Sequence, residues 1–472
     1  MPAFDSRRSP MTSIDRNLFR MRGSVPGITW PPLHEGTSAV LATLLLQLDA
    51  SQWLGSKDIE RAQFAQLLEL VDHLSKYSAQ FRARLDSAGL KPSDLGSPGG
   101  LRKLPVLHRR DIQSAKGSFF CTGVPKGHQP LGEAKTSGST GEPVVVRRSA
   151  VTQLFWSALT LRDHFWHERD FRQKSTVIRA NVSAYGEAAD WGAPASLLYK
   201  TGPAQRIPIT MSIDEQAKHL KAFRPNSLLI YPSNLAALAS LFQKSGERLE
   251  GLAHIRTIGE TLSPAVRALG QTVFGAPVED VYSSQEIGSA AIQCPKSGLY
   301  HIMAENLIVE VINDQSAPCG DGEVGRLVIT DLHNFATPLV RYDLGDYVEV
   351  AGPCPCGRGL PTLRRILGRE RNLVLLPDGR RHWPLVGFAE FRTVAPVVQY
   401  QLIQETHAMI EVRLVVEASL TAKQEDDLRQ IIQTALGHPF EIRFIYFPDK
   451  IPTGSNGKFE EFVCRVTERP KG

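Results

Sequence analysis

The sequence predicts an α/β protein: a large N-terminal domain of layered sheets and helices, followed by a small α+β domain. Three observations carry this. Between residues 175 and 290 short apolar runs ("STVIRA", "SLLIYP", "HIRTIG", "VEDVYSS") alternate with helical stretches, as βα units on a layered sheet do. From 298 to 350 the chain turns β-rich, with "LYHIMAENLIVEVI", "GRLVIT" and "DYVEVAG". The last hundred residues hold strands and a helix of their own, and 472 residues suffice for about two or three domains.

Each element has its local reason. Residues 1–36 are polar and proline-bearing and read as an arm. From 37 to 90, "AVLATLLLQL" and "AQFAQLLELVDHL" repeat apolar residues at three and four, which predicts helices. Turn formers in "GLKPSDLGSPGGLRKLP" break that pattern, and a long helix is predicted from Ala150 to Glu168. Near the C-terminus "NLVLLPDGRRHW" predicts a hairpin around Pro377, Asp378 and Gly379. "VVQYQLIQ", "AMIEVRLVVE" and "EIRFIYF" alternate as strands. The helix in "TAKQEDDLRQIIQTALG" should open on a Thr421/Gln424 capping box and stop at Gly437.

Composition excludes several classes. Apolar residues make up 42% and charged residues 22%, as in soluble globular chains. The net charge of +5 is mild and spread, so no nucleic-acid partner is expected. Ala39 to Leu48, the most apolar stretch near the start, is far shorter than the ~20 residues of a membrane span. The early arginines at 7, 8, 16, 20 and 22 have no apolar run behind them, so no secretory signal is expected and a cytoplasmic location is. Six cysteines are too few for a disulfide scaffold and point to metal before disulfide.

Two clusters suggest chemistry. Thr136, Ser137, Gly138, Ser139, Thr140 and Gly141 form a loop that can aim backbone N–H groups and hydroxyls at phosphate oxygens. It is not a Walker loop, since G-x-x-x-x-G-K-[ST] is absent, nor a G-x-S-x-G elbow. By itself it reads as a phosphate cradle or as a plain surface loop. The second cluster is Cys294 and His301 with Cys354 and Cys356, four ligands of the kind a closed tetrahedral zinc site uses. Nothing local brings the two pairs together, and buried thiols beside an unrelated histidine is the competing reading.

The motifs taken in order are more specific. "TSGSTGEP", "YSSQE" (282–286), "RYDLGD" (341–346), "LGRERN" (367–372) and "PTGSNGK" (452–458) resemble the motif set of adenylate-forming enzymes, which include acyl- and aryl-CoA synthetases, luciferases and adenylation domains. "CPCGRGLP" and "AGLKPSDLGSPGGLRKLP" resemble the phenylacetate-CoA ligase branch, and the resemblance spans residues 70–472. It implies that the loop holds the β- and γ-phosphates of ATP. It implies that Glu260, Tyr282 and Ser283 flank adenine, that Glu286 holds Mg²⁺, that Asp346 takes the ribose hydroxyls and that Arg369 assists there. It implies domains of 37–368 and 369–472, the second a mobile lid that swings about Arg371 and carries the catalytic Lys458. Zinc on the Cys294, His301, Cys354 and Cys356 set is in keeping with this branch. The segment 178–192 corresponds to the acyl-pocket segment, with Tyr185 and Trp191 as candidates to stack on an aryl acid and Tyr231 as a third lining residue. Three departures stand out: Val144 replaces a lysine common after the loop, Arg371 replaces the commoner Asp or Lys, and "YSSQE" has Ser where Gly is usual.

The implied reaction joins a carboxylic acid to ATP as acyl-AMP, releases pyrophosphate, and passes the acyl group to a thiol. CoA and the phosphopantetheine of an acyl carrier protein are both candidate acceptors, and a homodimer is left open. Competing readings are an amide- or ester-forming adenylating enzyme and a non-catalytic zinc-bearing nucleotide-binding protein. Glu286, Asp346, Arg369 and Lys458 occurring together speak against the last.

Overall fold

The structure is a computed structural model that describes residues 21–135, 143–369, 372–378, 380–382, 391–452 and 459–466. The phosphate-loop residues 136–141, the hinge candidate Arg371 and the catalytic candidate Lys458 lie outside the described residues.

The chain opens with two helices, α1 (Gly36–Ser51) and α2 (Ser56–Tyr77). A hairpin of β1 (Leu131–Lys135) and β2 (Val145–Ser149) then brackets the Gly/Ser/Thr loop, with Lys135 opposite Val145 at its mouth. Val144 and Val146 anchor β2 in a core that includes Ile287 and Tyr342. Ser149 ends the strand and caps α3 (Ala150–Trp166), its hydroxyl accepting from the Thr152 N–H.

Twelve strands form the main sheet. Its parallel block runs β5 (Ala204–Pro208), β3 (Ser175–Arg179), β6 (Ser227–Ile230), β7 (His254–Ile258) and β8 (Val278–Ser284), with β4 (Gly186–Ala188) at the edge. Beyond β8 the pairing becomes antiparallel through β9 (Gly288–Gln293), β10 (Tyr300–Ile302), β14 (Thr362–Arg369), β13 (Tyr342–Ala351), β12 (Val324–Asp331) and β11 (Leu307–Ile312).

Helices α4 (Ile213–Phe223), α5 (Pro232–Ser245) and α6 (Pro264–Phe274) cover one face. Ile178, Ile230, Ile255 and Val278 point to them, because alternate strand residues share a face. Their starts are chemically marked: Ser212 and Ser263 cap α4 and α6, and Pro232 and Pro264 occupy first-turn positions. Under α3, on the opposite face, Asp163 pairs with Arg169 at 2.6 Å and Arg256 at 2.8 Å, all buried.

The C-terminal unit has its own sheet, ordered β19 (Glu441–Tyr446), β18 (Met409–Val416), β17 (Val397–Gln404) and β20 (Phe462–Cys464), after a short β15 (Val374–Leu375) and β16 (Arg381–His382) pair. That pair closes the hairpin expected at 377–379. Helix α7 (Ala422–Leu436) starts on the Thr421/Gln424 capping box and ends at Gly437 in the left-handed region. Leu402, Ile410, Val412, Leu428, Ile432 and Phe440 make a separate core. Toward the large domain the unit reaches through polar contacts, such as Lys244 to Glu417 at 2.7 Å, a half-exposed pair of the kind that contributes about 0–1 kcal/mol. Among the described residues no helix is long and apolar enough to cross a membrane.

Candidate active site and metal centre

Ligands of open α/β sheets bind beyond the carboxyl ends of the parallel strands. Tyr231 follows β6, Ser233 lies in the first turn of α5, Glu260 follows β7, and Tyr282 and Ser283 end β8. The Glu260 carboxylate accepts from the Ser233 N–H at 2.9 Å and its hydroxyl at 3.1 Å. It also accepts from the backbone N–H of Phe459 at 3.2 Å. Phe459 belongs to the C-terminal unit and directly follows Lys458 in the chain.

Asp346 stands beside Tyr282. The Tyr282 hydroxyl donates to Asp346 Oδ2 at 2.6 Å, and Arg369 Nε lies 3.6 Å from Oδ1. Asp346 and Arg369 are cross-strand partners on β13 and β14, so the pair is set by register rather than by flexible side chains. Burial first, then the Asp346 charge, hold the Tyr282 phenol well above its usual range, so it remains a donor. Burial works against the Arg369 cation, but Asp346, Glu286 and Glu460 together outweigh it and raise its pKa.

Glu286 is buried just past β8, and among the described residues no side chain bonds its carboxylate. A hard oxygen ligand in that position fits Mg²⁺. Gly288 follows with φ +78°, and a Cβ there would meet the Trp156 ring at 3.3 Å, so this turn requires glycine. Arg148, not singled out from the sequence, lies over the Trp156 ring at 4.5 Å and donates to the Gln285 carbonyl. Its charge acts on Glu286 and Asp331. Its only sequence signal was a charged pair closing a β-prone run.

Tyr231 is at the site: its hydroxyl accepts from the Ala180 N–H at 3.4 Å. Tyr185 and Trp191 are not brought to it. Tyr185 stacks on His219 of α4 with ring centroids 4.1 Å apart and donates to Glu187, at the sheet edge. Trp191 packs edge-on against Phe171 and donates to the Gln173 carbonyl, near where β3 begins rather than where it ends. Their segment leaves β3 and doubles back as β4, antiparallel to β5, which turns Tyr185 onto the α4 face and leaves Trp191 beside the start of β3.

The structure does bring the four metal-ligand candidates together. Cys294, His301, Cys354 and Cys356 are all buried, with their ligand atoms within 4.8 Å of one another. Strand β10 makes the junction: it pairs with β9, which leads into Cys294, and with β14, which follows the Cys354–Cys356 turn. Cys354 Sγ is 3.8 Å from Cys294 Sγ, and Cys356 Sγ is 3.2 Å from His301 Nε2. His301 Nδ1 faces the Leu360 carbonyl at 3.3 Å, which leaves Nε2 for the cluster. Burial pushes the Cys294 thiol up, but hydrogen bonds from His301 and Ser297 overcome it and bring it to about 5. Metal–sulfur bonds of ~2.3 Å in a tetrahedron give sulfur–sulfur edges near ~3.8 Å, so the set fits zinc.

Comparison with known proteins agrees with this geometry. Residues 388–465 match the family described as the CapK C-terminal domain. The chain is 25% identical over 389 residues to a phenylacetate-coenzyme A ligase of Thermus thermophilus, across 78% of this chain and 83% of that one. It is 23% identical over 441 residues to the phenylacetate-coenzyme A ligase of Escherichia coli K12, across 89% and 97%. Among solved structures, 2-hydroxyisobutyryl-CoA ligase in the postadenylation state superposes with a TM-score of 0.70 at 18% identity, across 87% of this chain and 90% of that one. The chain therefore shares the fold of that ligase. In sequence the chain is similar to phenylacetate-coenzyme A ligases along most of its length.

Asp346 yields a direct test. Asp346→Ala strips the Tyr282 hydroxyl and the Arg369 cation of a shared acceptor, and a hydrogen bond to a charged group contributes about 1.5–3 kcal/mol. Affinity for AMP should fall roughly tenfold to a hundredfold, read by calorimetry. Unchanged affinity would remove Asp346 from the nucleotide site.

Proposed function

We propose that this protein is an AMP-forming acid–thiol ligase that activates a carboxylic acid, of aryl type by its relatives, and transfers it to CoA. The observation that carries the reading is the convergence of Glu260, Tyr282, Asp346 and Arg369 at one sheet edge, with the segment after Lys458 docked on Glu260.

In the first half-reaction a carboxylate oxygen attacks the α-phosphorus of ATP and the bond to pyrophosphate breaks. The protein does little covalent work; it aligns the groups and offsets negative charge. The 136–141 loop would hold the β- and γ-phosphates. Asp346 would accept from the ribose hydroxyls, with Tyr282 and Ser283 beside the adenine. The Lys458 ammonium would bridge the carboxylate and phosphate oxygens. Mg²⁺, held by Glu286, would spread the phosphate charge. In the second half-reaction a thiol attacks the acyl carbonyl, loses its proton, and AMP leaves. The lid, residues 369–472, would turn about Arg371 between the two steps, which the weak polar contacts to the large domain permit. Zinc on Cys294, His301, Cys354 and Cys356 would fill all four positions from protein and act structurally.

Pyrophosphate exchange across a panel of carboxylic acids, followed by addition of CoA, carrier protein or an amine, tests the reading. Exchange with an acid and thioester with CoA are expected. No exchange with any acid overturns it, and an amide product moves the protein to the amide-forming class.

A further inference from the structure

On the sheet face beneath α3, charges are paired unevenly. Asp163 and Glu279 are the carboxylates there: Arg169 bridges both, Arg256 pairs with Asp163, and His167 lies against both. A further guanidinium, that of Arg179, reaches the same face. Val177, Leu229 and Arg256 are level on β3, β6 and β7. Strand alternation therefore puts Arg179, the last residue of β3, on the side of Arg256, while Ile178 points into the opposite core. Arg179 Nε is sealed from solvent without a hydrogen-bond partner, and among the described residues no carboxylate pairs with the side chain. Its charge reaches Arg256, where it adds to the effects of burial and Arg169. The two carboxylates thus hold the buried Arg169 and Arg256, and Arg179 is left without a carboxylate partner among the described residues.

Its place gives that surplus a meaning. Arg179 lies at the carboxyl end of β3, the edge where such sheets bind ligands. Ala180, the next residue, donates to the Tyr231 hydroxyl, and two residues beyond Tyr231, Ser233 holds Glu260. Arg179 is half-buried beside another cation, and with its Nε unbonded and no carboxylate partner its fork is open to an acceptor that a ligand supplies. An arginine fork suits a carboxylate, which it can bind through two parallel bonds.

We infer that Arg179 is a specificity residue that receives a second carboxylate on the acid this protein activates, so that its preferred substrate is a dicarboxylic acid. This rests on the ligase reading above, which says that an acid binds at this edge. One carboxylate is adenylated, and the other docks on Arg179.

The test uses pairs matched in shape: phenylacetate against 4-carboxyphenylacetate, and hexanoate against adipate. Binding to the full-length protein is measured by calorimetry with a non-hydrolysable ATP analogue present, and pyrophosphate release is measured with ATP. The wild type should prefer the dicarboxylate at least ~10-fold in one pair. Arg179→Met should erase that preference without weakening the monocarboxylate, and Arg179→Lys should keep part of it. Circular dichroism confirms that the variants are folded; if Arg179→Met is not, Arg179→Gln takes its place. A wild type without dicarboxylate preference in either pair, or a preference that persists in Arg179→Met, overturns the inference. Dicarboxylate binding that depends on Arg179, with no pyrophosphate from any acid, keeps Arg179 as the receptor of a carboxylate and overturns the ligase reading.

Discussion

Lys458→Ala is expected to abolish pyrophosphate release while leaving ATP binding nearly intact. The carboxylate and the α-phosphate are both anions, and their approach develops charge that a point cation must offset. Losing one preorganised charge stabiliser typically lowers the rate about 10²- to 10³-fold. The structural support is local: Phe459, the next residue, is tied by its backbone to Glu260 at the strand ends. A synthetic acyl-adenylate supplied with CoA should still give thioester in the variant, because that step does not need the lysine. Normal pyrophosphate release from Lys458→Ala would remove the residue from the chemistry.

The second large effect is expected at the cysteine cluster. Purified protein should contain one zinc per chain, and Cys356→Ser should lose it and melt at markedly lower temperature. Apparent zinc affinities at structural sites in small zinc-finger peptides reach ~10 kcal/mol or more, against a whole-domain stability of about 5–15 kcal/mol. Even a fraction of that binding energy decides whether the fold persists. Here the ligands pin β9 and β10 to the turn before β14, so the variant should open the main sheet at that junction first. Hydrogen exchange would report it as early deprotection of β10. Absence of zinc together with an unchanged melting temperature in Cys356→Ser would reduce the cluster to packed thiols.

Legibility from the sequence differed by element. The βα alternation, the long helix after the loop, the 377–379 hairpin and the Thr421 cap could be read directly, because each depends on neighbours a few residues away. In the sequence the cysteine cluster is only two unconnected pairs; its assembly depends on β10 pairing on both sides, which no local pattern reveals. The joining of Tyr282 to Asp346 has the same origin: the residues are 64 positions apart and meet through sheet order. Tyr185 and Trp191 failed to reach the site for the converse reason. Being aromatic and in the right segment says nothing about which face or end of the sheet a side chain occupies. Arg179 lay in that segment too, but a single arginine carries no signal until the number of carboxylates around it is known.

Arg369 ends β14 opposite Asp346, and its backbone N–H donates to Asn372 Oδ1 at 2.9 Å. The Asn372 amide in turn donates to the Phe462 carbonyl on β20 at 2.6 Å. The point from which the smaller body hangs is therefore one rung of sheet away from the carboxylate assigned to the sugar of the nucleotide. In the proposed reading, a bound nucleotide would pull on the suspension of the body proposed to rotate, so that occupancy and rotation would share a fulcrum and need no longer path between them.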